Sequence, residues 1–198
     1  YGVGNKGGIY TLSTRNAQAA KVGQLSVALS GTAFGVDFNP AANALRIVSD
    51  TGQNLRQPFP TTGAVTAPAV ADTTLAYPPA AATGITAAAY TNNDLSPDTA
   101  TTLFDLDTVL DQIAIQSPAN AGTLAPTGKL GVDATLDAGF DIYSTVRKGK
   151  TVSLDAYATI GVGGTFALYK IDLLAGSADK QGAFKIPVTD IALALGQR

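Results

Sequence analysis

Cysteine, histidine, methionine and tryptophan are all missing from these 198 residues. Without cysteine no disulfide can form, so the fold rests on burial and strand pairing whatever the redox state around it. Without cysteine or histidine there is no Ser-His-Asp triad, no Cys-His dyad and no zinc centre built on either residue. The usual ligands for haem and iron–sulfur clusters are missing too, and no cofactor is expected. Charge is scarce: 14% of residues are charged, against about 25% in ordinary domains. A net charge of −2 and a pI near 4.9 leave no basic stripe to replace phosphate counterions, which argues against nucleic acid. No apolar run reaches the ~18 residues that a membrane-spanning helix requires.

Helix signals are also few. Ala80-Ala81-Ala82 sits between Pro78-Pro79 and Gly84, residues that break helices. The 21 Gly and 10 Pro instead punctuate short β-leaning runs such as Phe34-Gly35-Val36-Asp37-Phe38, Ala44-Leu45-Arg46-Ile47-Val48-Ser49 and Phe166-Ala167-Leu168-Tyr169-Lys170-Ile171. Two patterns recur. Ile9-Tyr10-Thr11-Leu12-Ser13, Leu103-Phe104-Asp105-Leu106-Asp107 and Leu168-Tyr169-Lys170-Ile171-Asp172 share one. Gly35-Val36-Asp37-Phe38, Gly139-Phe140-Asp141-Ile142 and, weakly, Gly131-Val132-Asp133 share the other. Thr62-Gly63 and Thr127-Gly128 add a repeated turn signal. A unit of about 40–60 residues fits a four-stranded propeller blade.

The expectation is an all-β chain, a single β-propeller of four-stranded antiparallel blades, about four to five in number. Whole units span roughly 31–72, 83–131 and 138–188; a further one combines 1–29 with 189–196. Such a terminal strand would cover two sheet edges at once. Tyr1, not Met, opens the chain in what reads as a strand, so a segment ahead of it is expected to have been removed or left out.

The run Gly35-Val36-Asp37-Phe38-Asn39-Pro40, followed by Leu45-Arg46-Ile47-Val48-Ser49-Asp50-Thr51-Gly52-Gln53-Asn54-Leu55-Arg56, resembles the domain of unknown function 4394 family. Ala87-Ala88-Ala89-Tyr90-Thr91-Asn92, Leu130-Gly131-Val132-Asp133 and Ile191-Ala192-Leu193-Ala194-Leu195 extend the likeness over nearly the whole chain. The resemblance implies a bacterial β-propeller, often exported, and hence a secreted, periplasmic or cell-surface location. It implies no activity, and family members usually carry about one more blade ahead of the position of Tyr1.

Residues 35–57 crowd Asp37, Asn39, Arg46, Asp50, Asn54 and Arg56 into one span. Strand alternation turns Arg46 and Val48 to one face and Leu45, Ile47 and Ser49 to the other. Unpaired buried charges are costly. The first expectation is therefore a clamp, with Asp37, Asp50 and Asn54 meeting turn and strand-end amides and an arginine meeting a carboxylate of the neighbouring blade. The competing expectation is a funnel-mouth site holding an anionic or polyhydroxyl ligand. Asp105, Asp107 and Asp111 lack the Gly and closing Glu of a calcium loop and read as solvated turn carboxylates. Asn92-Asn93-Asp94 with Asp98 reads as a plain turn. Arg147-Lys148-Gly149-Lys150 reads as a solvated hairpin turn, and Gly161-Val162-Gly163-Gly164 as a hairpin connection, since no Lys-Ser or Lys-Thr follows it.

Three functions stay open. The first is a non-catalytic exported module that binds a small molecule, glycan or protein. The second is a carboxylate-dependent hydrolase or lyase on a sugar or ester, using Asp37, Asp133 or Asp141. The third is a subunit of a larger surface assembly.

Overall fold

The computed structural model describes residues 1–62, 64–92 and 100–194, and the chain folds as an all-β propeller of four antiparallel blades. The first is three-stranded, β1 (Gly2–Val3), β2 (Gly8–Leu12) and β3 (Ala19–Gln24). The second holds β4 (Phe34–Asn39), β5 (Ala44–Ser49), β6 (Asn54–Pro58) and β7 (Val70–Ala71). A small hairpin, β8 (Ala76–Tyr77) and β9 (Ala80–Ala81), leads to the third blade: β10 (Ile85–Tyr90), β11 (Leu103–Asp107), β12 (Gln112–Gln116) and β13 (Leu124–Lys129). The fourth is β14 (Ala138–Arg147), β15 (Lys150–Val162), β16 (Thr165–Ile171) and β17 (Ala178–Ala183). In every blade, strands adjacent in sequence are neighbours in the sheet, so each blade is a meander.

Every residue of β5 is buried, because its two faces serve two different cores. Leu45 and Ile47 pack with Ile9, Leu25 and Leu55 between the first and second blades. Val48 turns the other way, to Leu75, Ile85, Tyr90 and Leu103, between the second and third. A third cluster, around Phe104, Ile113, Phe140 and Ile160, joins the third blade to the fourth. Full burial of each such side chain contributes about 1.5–3 kcal/mol, and stacking of blade on blade is how a cysteine-free chain obtains its core.

The repeated Gly-x-Asp motif explains the packing at the axis. A Cβ on Gly35 would lie 2.5 Å from the Ala88 nitrogen, and one on Gly139 would lie 2.4 Å from the Asp190 Cα. Each glycine therefore lets the next segment's backbone come close. Two residues on, the aspartate fixes that contact. Asp37 accepts from the Phe38 N–H at 2.7 Å and from the Tyr90 N–H at 2.6 Å. Asp141 repeats the arrangement with Ile142 at 2.7 Å and Leu193 at 2.6 Å. Residues 189–194 thus run along β14 as β10 runs along β4, although they are not assigned as a strand.

Some expected details differ. Gly131-Val132-Asp133 lies in the connection from β13 to β14, with Gly131 at φ 76°, so Asp133 is not on an inner strand. Thr127-Gly128 lies within β13, where the register slips opposite Ile113 and Ala114, and is a bulge instead of a turn. Gly63, Asn93, Asp94, Asp98 and Leu195 lie outside the described residues. Arg147-Lys148-Gly149-Lys150 and Gly163-Gly164 do form hairpin turns, with positive φ at Lys148, Gly149, Gly163 and Gly164. Among the described residues no helix is long and apolar enough to cross a membrane.

Candidate functional site

Because β5 alternates, Arg46 leaves Leu45 and Ile47 behind and enters the junction of the second and third blades, where it is 2% exposed. A guanidinium carries five N–H donors and cannot discharge, so burial obliges it to find acceptors. Nε donates to the Tyr90 hydroxyl at 3.3 Å. Nη1 donates to Asn54 Oδ1 and Asp72 Oδ2, both at 2.7 Å, and Nη2 to Asn120 Oδ1 at 2.7 Å. Asp72 follows β7 directly, and Asn120 sits in a 3-10 turn of the third blade, Ala119–Ala121. Arg56, directly opposite Arg46 on β6, grips Asp72 bidentately at 3.2 Å. Burial pushes the Asp72 carboxyl up, but the hydrogen bonds from Arg56 and Arg46 outweigh it and hold the group below the usual aspartate range.

Asn54 completes the knot. Its Oδ1 accepts from Arg46 and from Gln116, and its Nδ2 donates to the carbonyls of Thr73 and Ala119. Gln116 spends its amide N–H groups on Asn54 Oδ1 and, at 2.6 Å, on the Ala119 carbonyl. Those two acceptors fix the orientation of the amide and leave Gln116 Oε1 buried with no partner among the described residues. Beside the knot lies a cleft of about 150 Å³, lined by Asn39, Tyr90, Thr102, Gln116 and Ser117 among others.

Of the six residues expected to cluster, the structure joins Arg46, Asn54 and Arg56 through Asp72, and brings Asn39 to the cleft. Asp37 stands behind Tyr90, on its backbone N–H. Asp50 is apart: it caps the loop between the first two blades, accepting from Thr32 N at 2.9 Å and Thr32 Oγ1 at 2.7 Å. The carboxylate that meets the arginines comes from the second blade's own edge at Asp72. The neighbouring blade supplies neutral groups, Tyr90 and Asn120.

The Asp105, Asp107 and Asp111 reading is corrected in part. Asp105 and Asp107 are fully buried, because β11 turns both toward the second blade. Asp107 accepts from the N–H groups of Val109 and Leu110 and from the Tyr77 hydroxyl at 2.9 Å. Asp111 accepts from the Ala134 N–H. Among the described residues, both carboxyl oxygens of Asp105 lack a hydrogen-bond partner. Burial drives its carboxyl far above the usual range, the nearby Arg46 opposing this and Asp107 adding to it. No carboxylate trio turns toward one point here, and among the described residues no group of three acids could hold a metal ion.

Residues 1–192 match the family described as domain of unknown function DUF4394. The chain belongs to that family. No curated protein and no solved structure matches it. What sequence reasoning missed in this DUF4394 chain is Asp72, Asn120 and Gln116. Two of them come from connections, where no periodicity marks an inward-facing side chain. The signal for Asn120 was local: Pro118 and Gly122 bracket it, as they would a tight turn whose tip is aimed.

Proposed function

We propose that this chain is a non-catalytic, exported β-propeller that works as a binding or structural module. The observation that carries the reading is the fate of its inner carboxylates. Asp37 and Asp141 each accept two backbone N–H groups, and Asp72 is held by two arginines. A hydrolytic pair requires two carboxyls facing one open space, one of them free to move a proton. Asp105 has no hydrogen-bond partner among the described residues but is sealed from solvent, and Asp133, the third candidate for a hydrolytic role, is exposed in a loop.

The cleft beside Gln116 and Tyr90 is the place for a small polar ligand. Arg46 and Asn54 tie its floor together through Tyr90 and Gln116, and Asn39, Thr101 and Thr102 line it with further polar groups. A glycan or protein partner, or membership of a larger surface assembly, belongs to the same reading.

The test is a turnover screen on chromogenic glycosides and esters with the purified protein, alongside D37N and D141N. The expected result is no release above the buffer blank. Turnover that disappears in D37N or D141N while the far-UV spectrum is unchanged would sink the reading.

A further inference from the structure

The β14–β15 hairpin is longer than the blade that carries it. β14 has ten residues and β15 thirteen, yet β16 pairs with β15 only across residues 156–162. Among the described residues, Ser153, Leu154 and Asp155 therefore have one strand neighbour, β14, and Val152 beside them is the extra residue of a β-bulge. At about 3.3 Å per residue the hairpin projects roughly 20 Å past the last β16 pair.

Its tip is Arg147-Lys148-Gly149-Lys150, closed by two residues of positive φ, Lys148 at 52° and Gly149 at 74°. Such primed turns favour Asn, Asp or Gly at the first position, and a lysine there is a poor turn former. Three cations thus stand within four residues of a net-acidic chain. All are exposed, and none forms an ion pair among the described residues.

Behind the tip the arm turns apolar. Val152 is 57% exposed and Leu154 39%. At its base Leu154 lines a groove of about 580 Å³, with Ile171, Leu173 and Leu174 on the far side. Leu174 is 74% exposed, the largest value among the exposed large hydrophobic side chains. An aliphatic patch running into a strand edge that no described strand shares at residues 153–155, and ending in cations without an ion pair among the described residues, is the pattern of an interface.

We propose that this arm is a docking edge for an extended peptide of a partner protein, aliphatic in its N-terminal half and acidic in its C-terminal half. The peptide adds beside residues 152–155, antiparallel to β15 as β16 is. It therefore runs from groove to tip: main-chain bonds supply affinity, an aliphatic side chain enters the groove, and its carboxylates meet Arg147, Lys148 and Lys150. A lipid bilayer fits less well, since Val152 and Leu154 could enter it only by carrying the cations in first. A glycan offers neither a backbone edge nor an aliphatic side chain.

The inference names the partner for the non-catalytic reading and rests on it. The probe is a fluorescein-labelled peptide LTVTDED, with the reversed DEDTVTL as control, followed by anisotropy at low salt. LTVTDED should bind at least about tenfold more tightly than its reverse, and binding should fall about tenfold or more in the triple variant R147Q/K148Q/K150Q, as each lost charge contact contributes and salt screens the rest. Amide exchange should slow at residues 152–155. K148N supplies a readout that a purely structural turn would not move: the hairpin gains stability while the peptide binds more weakly. All these sites are exposed, and thermal melts confirm that each variant folds. No binding at millimolar peptide, equal binding of both directions, or full binding by the triple variant overturns the proposal. So does capture of anionic vesicles, or self-association lost in the triple variant, in place of peptide binding. Cleavage of the probe, read by mass spectrometry, would instead overturn the non-catalytic reading; failure to bind without cleavage leaves that reading standing.

Discussion

Arg46 and Arg56 share one carboxylate, yet they differ in what truncation would do. Arg46 is 2% exposed and Arg56 33%. Removing a partner from a buried network costs about 3–5 kcal/mol, because the groups left behind have neither water nor a donor, whereas an exposed pair contributes about 0–1 kcal/mol. R46A should therefore lower the urea-unfolding free energy by about 3–5 kcal/mol and R56A by about 1 kcal/mol or less. R46K should recover little, since an ammonium cannot reach four acceptors in a plane. Equal losses in R46A and R56A would show that the knot is wetter than its burial indicates. Asp105 makes the complementary case. Its folded carboxyl titrates far above the ordinary 3.8, so the protonated form favours folding, and that contribution is lost as pH rises from about 4 through the folded value. D105N imitates the neutral acid. It should match the wild type within about 1 kcal/mol near pH 4 and exceed it near pH 9, as chemical denaturation at the two pH values would reveal.

At the scale of the strand, the two Gly-x-Asp joints bind different things. Gly35 sits against β10, between whole blades, whereas Gly139 sits against the backbone of Asp190 and Ile191. G35A must separate two inner strands and should cost several kcal/mol of global stability, in the range of overpacked cores at about 1–3 kcal/mol or more. G139A should release only the terminal segment, so exchange would quicken at residues 189–194 while the melting temperature barely moves. A global collapse in G139A would mean that the segment is integral to the fourth blade. The Gly-x-Asp repeat was legible in advance and so were the faces of Leu45, Arg46, Ile47 and Val48, readable from period 2 alone; the close approach at Gly35 and Gly139 was not, since it depends on the backbone of a distant segment. The site was less legible. Asp105 obeys the same alternation, but its Asp-x-Asp neighbourhood resembles a turn, and polarity outweighed period. Asp72 and Asn120 lie in connections whose path is set by distant packing, so no local pattern could place them.

Across the whole molecule the inner strands bring acids toward one axis. Burial, with Asp141 and then Asp190 repelling it, lifts Asp37 to about 8 against the pull of the Tyr90 and Phe38 amides. Burial also raises Asp141; Asp190 keeps an exposed surface, so its own rise counts for less. In each case the folded state holds its proton more firmly than the unfolded chain, so stability falls as pH climbs above about 4, for Asp37 through about 8. Asp50 and Asp72 act in the opposite sense: both are held below 3.8, so the stability they supply is lost only as pH drops beneath that value. Together these groups set a stability maximum on the acid side, near pH 4–5, for a protein with no histidine to titrate between. Melting temperatures measured from pH 3 to 9 should trace that curve. D37N should flatten its alkaline limb, and added salt should flatten it in the wild type by screening Asp37 from Asp141. A melting temperature that instead rises steadily from pH 4 to 8 would mean that the axial carboxylates are ionised and solvated, and that the inner strands are held together by packing at Gly35 and Gly139 alone.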